Sequence, residues 1–259
     1  MGLDKIMTLN PRQRSLLEAV RRHVTVSVED LAQQLAVTPQ TVRRDVKLME
    51  EAKLLARYHG GVGLPSSVEN IDYSQRQVLN MDAKRRIAAA VAARVRPGCS
   101  LMINIGTTTE EVARALVHHQ GLHVVTNNLN VAAILSDQPG CEVILAGGVV
   151  RGRDRGIVGE ATIDFIRQFK VDVGIIGVSS IESDGTLRDF DPREVKVAQA
   201  IIEQSREVWL VADQDKFGRQ ALVRLGHLTQ IDKLFCDGLP PAGLISILQE
   251  AKVELVLAP

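Results

Sequence analysis

The sequence predicts an α/β chain in two unequal parts, a small helical N-terminal unit and a larger one in which strands alternate with helices. Three observations carry this. Up to Val62, apolar residues recur at helical spacing between capping residues, and a glycine-bearing β-prone segment follows. Beyond Pro97, short apolar runs are each followed by a polar loop and a helical stretch. Charge is divided as well: residues 1–62 hold ten Lys or Arg against seven acids, so the zero net charge hides a basic end and an acidic body.

Taken in order, Leu16, Leu17 and Val20 face inward on a first amphipathic helix, and the β-prone run Val24-Thr25-Val26 follows. Ser27 can cap a second helix through Leu31 and Leu35, with Glu29 and Asp30 at its positive end. Thr38 caps a third, and Pro39 occupies the first helical position, where its missing N–H costs nothing. In that helix Val42, Val46 and Met49 form a core stripe. At about 100° per residue, Gln40, Arg44 and Lys47 fall on the opposite side, flanked by Thr41 and Arg43. Arg can read guanine, Gln can read adenine and Lys neutralises phosphate, so this face suits a major groove. Leu54 to His59 and Gly60-Gly61-Val62 then read as a hairpin wing.

Basic residues on one exposed helix face are usually solvated surface. Here the preceding helix, both caps, the wing and the charge surplus agree, and the segment reads as a winged helix-turn-helix. The expected DNA-contacting residues are Thr38, Gln40, Thr41, Arg43, Arg44, Lys47, Arg57 and His59.

Hydrophobic content of 45% with 24% charged residues is ordinary for a globular protein. Cys99, Cys141 and Cys236 are far apart and odd in number, which argues for a reducing cytosol and against a disulfide framework or zinc site. The opening Met-Gly-Leu-Asp-Lys-Ile-Met lacks a signal-peptide core, and no apolar run is long enough to span a membrane. A cytoplasmic chain without cofactor or metal is expected.

Gly63 to Ser67 breaks the wing, and a polar stretch from Asn70 to Asn80 lacks strong periodicity. The expected divisions are therefore 1–62, a linker over 63–80, and a second domain over 81–259. That domain opens on an Ala-rich helix with Ile87, Val91 and Val95 on one side. Strands are expected at Leu101–Ile105, His123–Thr126, Glu142–Ala146, Val171–Val178 and Val208–Ala212, with helices at Glu110–Leu116, Leu129–Leu135, Ala161–Phe169 and Arg193–Ser205. Leu234-Phe235, a helix near Leu244–Leu248 and Val253–Leu257 complete a mostly parallel sheet covered on both faces.

In such sheets ligands bind beyond the carboxyl ends of the strands. After the first strand, Gly106, Thr107, Thr108 and Thr109 offer hydroxyls and free helix N–H groups to an anion, or simply cap the helix. Asn127 and Asn128 follow the second strand, either as turn formers or as ligands for hydroxyls. Gly147 and Gly148 follow the third, then the arginines of 151–155, usually a solvated loop but able to pair phosphate. Ser179-Ser180, Asp189, Asp191 and Lys216 complete the edge. Together these loops describe a pocket for a small phosphorylated polyol.

The chain resembles DeoR-family bacterial transcriptional regulators over nearly its whole length. The resemblance rests on Thr38 to Asp45, Tyr58-His59-Gly60-Gly61, Ile105 to Thr109 and Lys216-Phe217-Gly218-Arg219. It implies a sensor domain related in fold to sugar-phosphate isomerases that binds rather than catalyses, and a homo-oligomer, often a tetramer, on operator DNA. Leu64 to Ser67, Thr126 to Ala132, Ile157 to Thr162 and Asp189-Phe190-Asp191 carry a closer similarity, to the branch that controls glycerol-phosphate genes. That similarity implies glycerol 3-phosphate as the effector. Two departures from the family pattern are Ala198, where many members carry lysine, and Pro192-Arg193 directly after Asp191. The reading is a repressor that releases its operator when a phosphorylated metabolite binds. The competing reading is an isomerase-like enzyme with a DNA-binding appendage, for which Asp189, Asp191, Glu194 and Lys216 are the candidate acids and bases.

Overall fold

The computed structural model describes residues 9–21, 26–51, 54–58, 61–63, 70 and 72–258. The chain divides into two compact units, Met1–Leu79 and Asn80–Pro259.

The first unit contains α1 (Pro11–Arg21), α2 (Val28–Gln34), α3 (Pro39–Glu51), β1 (Ala56–Tyr58), β2 (Gly61–Gly63) and α4 (Tyr73–Val78). Ser27 Oγ accepts the Asp30 N–H at 3.0 Å and starts α2. Ala36 turns through a left-handed conformation, and Thr38 Oγ1 accepts the Thr41 N–H at 3.3 Å to start α3. Leu16, Val20, Leu31, Val42 and Met49 are wholly buried in one core, as the helical spacing requires. Val26 and Val62 exchange backbone hydrogen bonds at 2.9 and 2.8 Å, tying the wing to the segment before α2. Val24, Thr25, His59 and Gly60 lie outside the described residues. Buried Asp45 was not anticipated: it accepts from Arg12 Nε at 2.6 Å and Gln13 Nε2 at 3.1 Å, locking α3 to α1. Helix α4 occupies part of the stretch expected as linker. Its six residues bury no side chain and so give no core periodicity to detect; within it Gln77 Nε2 donates to Tyr73 Oη at 2.8 Å.

The second unit runs α5 (Met81–Ala92), β3 (Ser100–Ile103), α6 (Thr107–Ala115), β4 (Leu122–Thr126), α7 (Leu129–Leu135), β5 (Cys141–Leu145), β6 (Val149–Val150), β7 (Ile157–Val158), α8 (Glu160–Ile166) and β8 (Val171–Gly177). It continues with β9 (Ser180–Ile181), β10 (Thr186–Asp189), α9 (Pro192–Glu203), β11 (Ser205–Val211), β12 (Val223–His227), β13 (Lys233–Cys236), α10 (Ala242–Glu250) and β14 (Glu254–Leu257). Seven strands pair in parallel in the order β14-β13-β11-β8-β3-β4-β5. Alternation sends Leu101, Ile103, Val124 and Ile175 to the face covered by α5, α6 and α7. Met102, Val125, Ile176 and Leu210 pack on the other, with α8, α9 and α10.

The expected α/β architecture is present, and two additions to it are antiparallel. A hairpin joins β6 to β7, and a three-stranded sheet has the order β12-β10-β9. The hairpin strands are two residues each, and those of the three-stranded sheet mix Ser, Thr, Arg, Asp, Gly and His with apolar residues, so neither addition carries a long hydrophobic run.

The strand order reverses between β3 and β8. From that point β4 and β5 extend the sheet one way, and β11, β13 and β14 the other. Connections from the two strands leave on opposite faces, which opens a crevice beyond their carboxyl ends.

Candidate functional site: operator-reading face and sensor edge

On α3, Gln40, Arg43, Arg44 and Lys47 are exposed while Val42, Asp45, Val46 and Met49 are buried, so the helix presents the expected polar face. The hydroxyls of Thr38 and Thr41 lie 2.9 Å apart in the cap. Arg43 pairs with Glu29 at 3.0 Å, and Arg57 pairs with Glu50 at 3.3 Å and donates to the Arg43 carbonyl. Among the described residues, no carboxylate neutralises Arg44 or Lys47. These two cations therefore keep their full attraction for phosphate or a base edge. Arg44→Ala is expected to cost about 1–3 kcal/mol and relax preference at one operator position, and Lys47→Ala to weaken all sequences alike. Titration at fixed salt checks this; unchanged affinity and preference in Arg44→Ala would mean that α3 does not read bases.

In the second unit, α6 begins directly at the sheet edge. Gly106 turns with φ +155°, and an added Cβ would stand 3.1 Å from Thr109 Oγ1. The Thr109 hydroxyl is spent on the turn, donating to the Asn104 and Gly106 carbonyls at 2.8 Å each. The amides opening α6 have no acceptor within the helix and concentrate its positive end beside β8. Thr107 and Thr108 form the start of α6, and both are buried.

Beyond β4, Asn127 Nδ2 donates to the Ile157 carbonyl at 3.0 Å, and Ile157 N–H returns to the Asn127 carbonyl at 2.7 Å. Asn128 caps α7, accepting the Asn130 N–H at 2.9 Å, while its amide donates to buried Glu110. The 147–156 segment is drawn over this end of the sheet by those bonds and by Leu129 N–H to the Arg155 carbonyl. Gly148, at φ +148°, lets the hairpin close, since a Cβ there would collide with Thr162. Gly147 offers its carbonyl to Thr162 Oγ1 at 2.9 Å.

Arg151 is not in a solvated loop. It is 8% exposed and sits among Asp154, Asp191 and Glu194, with Nη1 2.9 Å from Asp191 Oδ2 and 2.8 Å from Glu194 Oε2. Burial opposes its charge, but the carboxylates outweigh that and hold the guanidinium protonated. Asp191 caps α9 and pairs also with Arg193 at 2.8 Å, which with Arg151 keeps its carboxyl far below the usual range. Asp189 accepts from Ser179 Oγ at 2.9 Å and the Phe190 N–H at 2.7 Å. Glu194 is pushed up to about 7 by burial and then by Asp189, with Arg151 offsetting part of the rise. Four acids, Asp154, Asp189, Asp191 and Glu194, thus face two cations, Arg151 and Arg193, at this corner.

Lys216 lies in a short turn, 214–216, after β11, capped by Asp213; Asn80 Nδ2 bonds Asp215 there at 2.7 Å. A surface groove of about 400 Å³, lined by Gln199, Ile202, Glu203 and Arg224, sits at the C-terminal end of α9 and includes none of these residues. Among the described residues, no cluster of His, Cys, Asp or Glu could hold a metal, and no helix is long and apolar enough to cross a membrane.

Residues 12–68 match the DeoR-like helix-turn-helix domain, and residues 79–238 match the DeoR C terminal sensor domain. The chain belongs to the DeoR family. This DeoR-family chain is 45% identical over 251 residues to the glycerol-3-phosphate regulon repressor of Escherichia coli (strain K12), covering 97% of this chain and 100% of that one. It is 47% identical over 246 residues to the protein of the same name from Haemophilus influenzae, covering 95% and 96% of the two chains. It is a DNA-binding transcriptional repressor, and the isomerase-like enzyme alternative is set aside, because these near full-length relatives are repressors. A solved ribose 5-phosphate isomerase from Methanocaldococcus jannaschii aligns with TM-score 0.40 and 12% identity over 53% of this chain and 55% of that one, a likeness too distant to carry an argument.

The departures from the family pattern have local explanations. Ala198 is buried in the apolar core on α9 beside Val197 and Ile201, so this chain places no cation there. Pro192 is the first helical residue of α9, and Arg193 closes back on Asp191. Sequence reasoning missed Asn104, Arg151's acidic cage and Glu110. A polar residue where strand alternation assigns a buried face, as at Asn104, was the available signal.

Proposed function

We propose that this repressor controls genes of glycerol or glycerol-phosphate metabolism in the cytoplasm, and leaves its operator when glycerol 3-phosphate fills the crevice beyond β3 and β8. The observation that carries this is 45–47% identity, over almost the whole chain, to proteins named glycerol-3-phosphate regulon repressors. The geometry supports it: a helix N-terminus for an anion stands beside asparagines and carboxylates that can bond hydroxyls. Gly106, Thr107 and Thr108 hold the phosphate, framed by Thr109. Asn127, Asn128, Gly147, Gly148, Asp189, Asp191 and Lys216 shape the rest. The working form is a homo-oligomer, such as a tetramer, that engages paired operator sites.

Operator titration with rising metabolite tests the site. Gly106→Val is expected to bind operator normally and to resist release, because its Cβ meets Thr109 at the turn that aims the α6 amides. Thr107→Ala should lose about tenfold to hundredfold in effector response. Release of Gly106→Val at wild-type concentrations would place the phosphate elsewhere, and loss of operator binding without metabolite would make the loop purely structural.

A further inference from the structure

Buried side-chain acceptors without a donor are costly, and folded proteins keep few of them. Among the described residues of the second unit, the buried side-chain oxygens in this state are Asn104 Oδ1 and Asn127 Oδ1. Asn104 is 3% exposed and Asn127 0%. They are also neighbours. Ile103 of β3 pairs with Thr126 of β4, so the next residues along the two parallel strands stand side by side. Asn104 N–H extends the ladder, bonding the Ile175 carbonyl of β8 at 3.0 Å. Met102 and Val125 both enter the core on the α8–α9 face, and alternation puts Asn104 and Asn127 on that face too. The Asn104 carbonyl is held by Thr109 in the first turn of α6, so this pair adjoins the helix N-terminus.

We propose that Asn104 and Asn127 are the specificity-determining end of the sensor site, where their side-chain carbonyls accept hydrogen bonds from the hydroxyls of a phosphorylated polyol. The inference rests on the effector reading above and adds an orientation and a selectivity to it. Asn127 has committed its amide to Ile157, which turns its oxygen away from that bond. A carbonyl oxygen takes a donor, and phosphate oxygens at neutral pH are chiefly acceptors. The phosphate therefore lies toward α6 and the hydroxyl-bearing carbons toward the asparagines. A polyol phosphate fits this floor, whereas a keto analogue presents an acceptor to an acceptor.

Calorimetric titration of the full chain with glycerol 3-phosphate, dihydroxyacetone phosphate and inorganic phosphate tests it. Wild type is expected to prefer glycerol 3-phosphate over the ketone by about tenfold or more. Asn104→Leu should lose about tenfold to hundredfold in glycerol 3-phosphate affinity and keep inorganic phosphate affinity within about twofold. Its ligand-free melting temperature should not fall, since an orphan acceptor has been removed. Asn104→Ala provides the same readout without added bulk. Unchanged glycerol 3-phosphate affinity in either folded variant overturns the inference and spares the effector reading. Absence of glycerol 3-phosphate binding to wild type overturns the effector reading and this inference with it. If neither variant folds, Asn104 belongs to the fold and the inference fails.

Discussion

Arg151→Met is expected to destabilise the second unit by about 3–5 kcal/mol, because it strands Asp154, Asp191 and Glu194 in a buried site without their shared cation. The loss should depend on pH in a defined direction. Glu194 titrates at about 7 in the folded protein against an ordinary value of 4.5. The folded state thus takes up its proton before the unfolded state does, and stability rises as pH falls from about 8 toward 5. Asp191, held low, gives up its stabilising contribution only at more acid pH and does not cancel this trend. Without Arg151 the Glu194 carboxyl is driven higher still, so the variant should recover part of its loss on acidification. Glu194→Gln should flatten the wild-type pH dependence in the same window. Denaturant unfolding at pH 5, 6.5 and 8 measures all three proteins. A loss below about 1 kcal/mol at every pH would mean that the carboxylates do not depend on this arginine.

Val42→Asp should abolish operator binding altogether. Val42 has no exposed surface and belongs to the same core as Leu16, Leu31 and Met49, all equally buried. A carboxylate there has no partner, and the cost is several kcal/mol, comparable with the entire stability of a small domain. Calorimetry should show loss of the first unit's transition while the second still melts cooperatively, and far-UV circular dichroism should show a partial loss of helix. An unchanged melting profile with intact DNA affinity would mean that α3 is turned the other way about its axis.

The two variants also mark how differently the two units could be read. Val42 was legible because its position follows from local rules: a Thr38 cap, proline at the first turn and an i, i+4, i+7 stripe put it in the core. Asp45, on the same helix, was not legible as a brace, because its partners Arg12 and Gln13 are about 30 residues away. In the sensor unit Gly106 to Thr109 stood out because a glycine and hydroxyls follow an apolar strand. Thr109 turned out to bond backbone carbonyls instead, which no spacing rule distinguishes from ligand binding. Arg151 read as part of a charged loop, since the acid of α9 that buries it, Glu194, is brought close only by the fold.

By itself, the sequence determined the capped helices, the wing, the alternation of parallel strands with helices, and the family. These follow from local propensity and periodicity, which act within a few turns or one strand. Tertiary structure alone decided the strand order and so the reversal between β3 and β8. It also decided the antiparallel additions, the acidic cage around Arg151 and the juxtaposition of Asn104 and Asn127. Each of these depends on segments far apart in the chain, where the energy comes from burial and from which polar groups are left with partners. That information is absent from any single window of residues and appears only when the sheet is assembled.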